Sequence, residues 1–244
     1  MLPLILLALG FAVAAIALVW LSYAGPAYRI GRTLAAAPAI GLHEVAAAAA
    51  AGRPYVRVHG RIASDEEFPD DNDRPLVYRR RRLELAEDAR GRRWRTLEDE
   101  AHAVPFGLEG GGVYVGIEAA DLDEGLVVIV REANGTAADA PDRIPPGTRP
   151  KTPLRHRVYQ LSAVEHAFAA GRPFIRADGT AALGKSGSRP LIVTPLEIPE
   201  AMRVLAEGRR WRIRAATVGL GFGLGIAAAG ILVALLAMVG IKPG

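Results

Sequence analysis

A chain of 244 residues with no cysteine excludes disulfides, thiolate zinc sites and a cysteine nucleophile. Thirty lysines and arginines against 26 aspartates and glutamates leave a formal charge of +4, too small for this length to argue for nucleic acid by itself. Half of the residues are hydrophobic and they gather at the two ends, so the middle has an ordinary composition and one or two domains are expected.

Residues 2–23 form an uncharged run. It lacks the basic start and the short apolar core of a secretory signal, so a permanent span is expected rather than a cleaved leader. Trp20 and Tyr23 would sit at its exit interface. Residues 215–241 form a second run, longer than the ~20 apolar residues that cross a bilayer. A basic and aromatic collar precedes it: Arg209, Arg210, Trp211, Arg212 and Arg214. The expected layout is a first transmembrane helix at 1–23, a tether at 24–40, a domain at 41–210, and the collar with a second transmembrane helix at 211–241. Arg29 and Arg32 follow the first run and Arg203 and the collar precede the second, whereas only Lys242 lies outside. Basic residues near span ends stay cytoplasmic, which places the domain in the cytoplasm under a bacterial plasma membrane.

Between the runs, residues 42–51 read as an alanine helix stopped by Gly52. Residues 55–59 have strand composition and end at Gly60. Residues 52–60 are echoed by 171–179, each copy preceded by an alanine-containing segment (45–51 and 164–170) that reads as helix. Either two related halves (41–133 and 154–210, joined by a linker at 134–153) or shared turn grammar explains the echo. Residues 76–85 and 92–97 form two strands around a turn at 88–91. Short strands follow at 102–108, 113–117 and 126–131, and a helix at 198–210 places Met202, Leu205 and Ile198 on one face. The expected fold class is therefore α+β: a β-rich domain between two transmembrane helices.

The order of parts resembles a known family. Residues 56–62 (VRVHGRI), Val77-Tyr78 with its basic continuation, Trp94, Glu98, residues 104–108 (VPFGL), Val113-Tyr114-Val115 and residues 191–194 carry the likeness. They are similar to the GIDE domain, also called BAM ("beside a membrane"), which lies between the two spans of membrane-anchored mitochondrial ubiquitin ligases and in many prokaryotic membrane proteins. Those ligases carry a zinc-binding RING after the second span. This sequence has no cysteine for one, so ligase activity does not carry over.

Arg79, Arg80, Arg81, Arg82, Arg92, Arg93 and Arg95 surround Trp94 on the expected hairpin. Alternate arginines point to both faces of a strand. They read as a docking surface for an acidic protein or anionic lipid, with nucleic acid disfavoured, or as a solvated hairpin neutralised by the acidic loop at 64–73. The acidic turns at 70–73 and 121–125 lack the full calcium-loop spacing, and the five histidines lack paired ligand spacing. No cofactor, metal or catalytic residue is expected. Gly219, Gly221, Gly223 and Gly225 lie in an apolar run, so they read as a helix-packing face and not as a dinucleotide loop. That face would meet the region around Gly10, Ala14 and Ala15, or a second copy of the protein. The expected function is a membrane-anchored, non-catalytic binding or scaffold protein. The alternative is an accessory subunit of a ubiquitin-ligase-like or proteolytic system whose catalytic part is another chain.

Overall fold

The computed structural model describes residues 2–22, 26–87, 93–122, 125–187, 189–206 and 210–238. Two compact units result: residues 30–204, and the two chain ends at 1–29 and 205–244.

In the larger unit the strands run β1 (Val56–Ala63), β2 (Phe68–Pro69), β3 (Pro75–Ala86), β4 (Trp94–Ala103), β5 (Phe106–Gly110), β6 (Val113–Ile117), β7 (Arg131–Thr136), β8 (Pro153–Ser162), β9 (His166–Ile175), β10 (Ala181–Gly184) and β11 (Ile192–Thr194). Five of them close a barrel in the order β1-β5-β6-β10-β9, with β9 pairing back onto β1. Every pairing is antiparallel except β6 with β10. This is a five-stranded Greek-key barrel of the OB type. Strand alternation fills it: Val56, Val58 and Ile62 point inward with Phe106, Leu108, Val115, Ile117 and Leu183, while Arg57, His59 and Arg61 occupy the intervening positions. Ala167 and Ala169 on β9 leave room for the larger side chains opposite. Gly60 does not end β1 as expected. A Cβ there would lie 2.9 Å from the Glu109 carbonyl oxygen, so glycine lets β1 continue against β5.

The connections 64–105 and 118–165 supply a second, open sheet, β2-β3-β8-β7, with β4 also on β3. One face of it carries a small core of Leu83, Leu85, Ala137 and Leu154.

The hairpin at 76–97 forms as β3 and β4, although its turn lies outside the described residues. Pro105 separates β4 from β5 because it cannot donate to a ladder. The helix expected at 42–51 forms as a 3-10 turn (Leu42–Glu44) followed by helix α3 (Val45–Ala50), stopped at Gly52 with φ +64°. Other expectations are corrected. In the alanine segment before the second echo, residues 166–170 belong to strand β9, not helix, because β1 and β11 hydrogen-bond along them. The two echo segments sit in one barrel, where Val56 lies opposite Gly171. The apolar run at 126–130 makes one bridge, Leu126 with Val193, and the strand is the polar stretch after it, β7. Residues 134–136, expected as linker, pair with β8. In helix α4 (Ile198–Ala206) the buried residue is Ala201, and Met202 is exposed.

The other unit contains helices α1 (Leu2–Ser22) and α5 (Arg210–Met238); α2 (Pro26–Ala36) runs across the boundary between the units. α1 and α5 touch backbone to backbone. A Cβ on Gly10 would come 2.7 Å from the Gly223 carbonyl oxygen, and one on Gly223 would come 2.7 Å from the Ala14 amide nitrogen. Ala14, Ala17 and Ala227 are buried there, while Leu4, Phe11, Val218 and Phe222 are exposed. The expectation of two membrane spans is corrected: among the described residues, no helix is long and apolar enough to cross a membrane. The fold class is therefore β-rich, a five-stranded barrel with a second open sheet, and not an α+β domain held between transmembrane helices. The plasma-membrane location, and the orientation derived from the arginines, fall with the spans.

Candidate functional site

One face of the second sheet gathers cations and aromatic rings. On β3, Arg80, Arg82 and Glu84 point to it. On β8, Arg155, Arg157 and Tyr159 do so, because Arg80 lies opposite Tyr159, Arg82 opposite Arg157 and Glu84 opposite Arg155. β4 adds Asp99, opposite Arg82, and Trp94 at its start. The Arg155 guanidinium lies 4.1 Å from the centre of the Trp94 ring, and Arg82 and Arg157 flank Tyr159 at 6.0 and 5.9 Å. Planar guanidinium groups stack on aromatic faces, and the contact is worth about 0.5–1 kcal/mol where exposed.

Carboxylates hold these cations. Arg80 donates from Nε and Nη2 to the two oxygens of Asp99, at 2.6 and 2.7 Å. Arg82 donates from Nε to the same carboxylate at 3.0 Å. The hydrogen bonds from Arg80, and then the charges of both arginines, hold Asp99 below the usual carboxylate range. Arg155 donates to buried Glu84 at 2.5 Å. Arg157 lies 3.3 Å from Glu132 of β7, yet its buried Nε makes no hydrogen bond among the described residues. Among the described residues, four guanidinium groups against three carboxylates leave this face about one charge positive.

The opposite face takes the other arginines of β3. Arg81 pairs with Asp71 at 3.0 Å, and Arg79 lies over Phe68, whose ring meets His102 edge-on. Arg143 pairs with Glu98. His156 sits near Arg143 and Arg81; burial first, then their charges, lower its pKa. The structure thus divides the expected stripe. Arg80, Arg82 and Trp94 come together; Arg79 and Arg81 face away. Arg93 and Arg95 are exposed, and Arg92 lies outside the described residues. Arg155, Arg157 and Tyr159 were missed, although their period-two spacing in RHRVY is visible in the sequence.

In the acidic turn at 70–73 the Asp70 carboxylate is engaged by the protein. Asp70 accepts from the backbone N–H groups of Asn72 and Arg74 and from the Arg74 guanidinium. Asp121 is bonded to the backbone and ammonium of Lys185, while Asp123 and Glu124 lie outside the described residues. His59 and His166 stack at 5.8 Å on the barrel exterior, but among the described residues no three metal-ligating side chains gather. In helix α5, Gly219 and Gly223 face α1, whereas a Cβ on Gly221 or Gly225 would meet nothing within 4 Å.

Compared with protein-family models, curated proteins and solved structures, the chain matches none.

Proposed function

We propose that this chain is a non-enzymatic binding module, and that the face bearing Arg80, Arg82, Arg155, Arg157, Tyr159 and Trp94 takes an acidic segment of a partner protein. The observation that carries this reading is the placement of three of the four guanidinium groups over two aromatic rings of one sheet face, Arg155 closest at 4.1 Å from Trp94. The pairs of Arg80 and Arg82 with Asp99 keep part of their surface in solvent, and such pairs contribute only about 0–1 kcal/mol each, so folding alone gives weak reason for them. Arginine, tyrosine and tryptophan are the side chains that dominate protein interfaces. The near-balance of charge supports a protein partner over a polyanion backbone, whose affinity depends on many uncompensated cations. The likeness to GIDE/BAM domains is kept in this limited sense, as a domain that works through what it binds.

The test is fluorescence anisotropy of a labelled octaglutamate peptide with the full chain. Binding is expected at low salt and weakens as salt rises. Arg80→Glu with Arg82→Glu abolishes it, and Arg79→Glu with Arg81→Glu, on the opposite face, retains it. Equal loss from both pairs, or tighter binding of oligothymidylate than of the peptide, sinks the reading.

A further inference from the structure

The Arg80–Arg82 fork already holds a carboxylate. Asp99 takes three hydrogen bonds from it, two of them as the parallel pair that an arginine offers an incoming carboxylate. Its neighbours differ. Glu84 is buried against Arg155, and Glu132 lacks an aligned bond to Arg157. The Asp99 side chain keeps 30% of its surface in solvent. It also stands on β4, which pairs with β3 and no other strand among the described residues.

We propose that Asp99 is an internal occupant of the acidic-ligand site, which a partner's carboxylate must displace. The proposal rests on the acidic-partner reading above and sets its specificity. Replacing one carboxylate by another conserves the bonds at the fork. Net affinity must then come from groups that also reach Arg157, Tyr159 or Arg155. A lone carboxylate such as acetate gains little, whereas a segment with several acidic groups gains contacts that Asp99 does not make. Held by its own carboxylate, the fork is also kept aligned and shielded from solutes of low affinity.

The test compares octaglutamate binding by the full-length wild type, Asp99→Asn and Glu100→Gln. The two variants change the net charge equally, but Glu100 lies opposite Arg81 on the other face. Asp99→Asn should tighten binding about three- to fivefold, the upper part of what an exposed ion pair is worth. Glu100→Gln should change it less than about twofold. Adding Arg80→Ala to Asp99→Asn should remove the gain. Asp99→Ser repeats the comparison should the amide refill the fork. Wild-type binding with equal effects of Asp99→Asn and Glu100→Gln overturns the proposal and leaves the acidic-partner reading standing. Absence of binding in the wild type and in both Asp99 variants overturns both. Binding seen only after Asp99 is neutralised supports both.

Discussion

The packing of α1 on α5 makes a sharp prediction. The β-carbon of Ala17 lies 3.6 Å from where a Cβ on Gly219 would stand. Disulfides join β-carbons about 3.5–4.5 Å apart. Ala17→Cys with Gly219→Cys should therefore oxidise without moving either helix, and the absence of native cysteine leaves no competing thiol. The bond would close a loop of roughly 200 residues. In the chain-entropy view this stabilises the folded state by up to about 5 kcal/mol, less any strain introduced. The control is Ala17→Cys with Gly221→Cys, since Gly221 faces away from α1 and has nothing within 4 Å of its added carbon. The assay is mobility on a non-reducing gel, with thiol titration, after mild oxidation of dilute protein. Loss of thiols in the first pair alone, without dimer bands, is expected. Equal cross-linking of both pairs, or none in the first, would show that the seam through Gly10, Ala14, Ala17, Gly219 and Gly223 is not formed.

Tyr55 is buried, and its hydroxyl reaches the carbonyl oxygens of Ala170 and Pro190 at 2.9 and 2.7 Å, tying the entry to β1 to β9 and to the segment before β11. Tyr55→Phe should cost about 1–2 kcal/mol in urea unfolding, and an unchanged midpoint would show that the hydroxyl does no work there. Stability should fall with pH in two stages. Because burial and nearby arginines lower the pKa of His156, the folded state resists its protonation. Its contribution is complete above about pH 6.5 and declines as pH drops below that value. Asp70, held low first by the Arg74 amide, and Asp99, held low first by Arg80, act lower down. Their contribution is complete above about pH 4 and is lost as pH falls through their depressed folded values. Urea midpoints of His156→Gln against pH should lack the upper decline and keep the lower one; an unchanged upper decline would assign it to another group.

Local grammar was legible where neighbours in sequence decide the conformation. Gly52 stops the alanine helix, and the strand expected at 113–117 forms as β6 with those bounds. The hairpin of β3 and β4, and the division of its arginines between two faces, followed from period two. Half of the candidate site was readable in the same way, as Arg80, Arg82 and Trp94. The other half, on β8, was not, because the pairing of β3 with β8 joins residues about 70 apart in the chain and no local pattern encodes it. Alanine misled at 164–170. Its helix preference is below about 1 kcal/mol per residue, and the two strands that hydrogen-bond to residues 166–170, β1 and β11, override it.

By itself, the sequence determined what depends on composition and short-range sterics. It ruled out thiol chemistry, stopped the alanine helix at Gly52, placed the strands that form as β1, β3, β4, β5 and β6, and gathered apolar residues into two terminal runs. Only the tertiary structure decided what depends on distant partners. It closed β9 onto β1, showed that the terminal runs pack on one another and supply no helix long and apolar enough to cross a membrane among the described residues, and set one carboxylate, Asp99, between two arginines. The reason is that strand pairing and charge pairing are contacts in space, and the free energy of each depends on which remote segment arrives to make it.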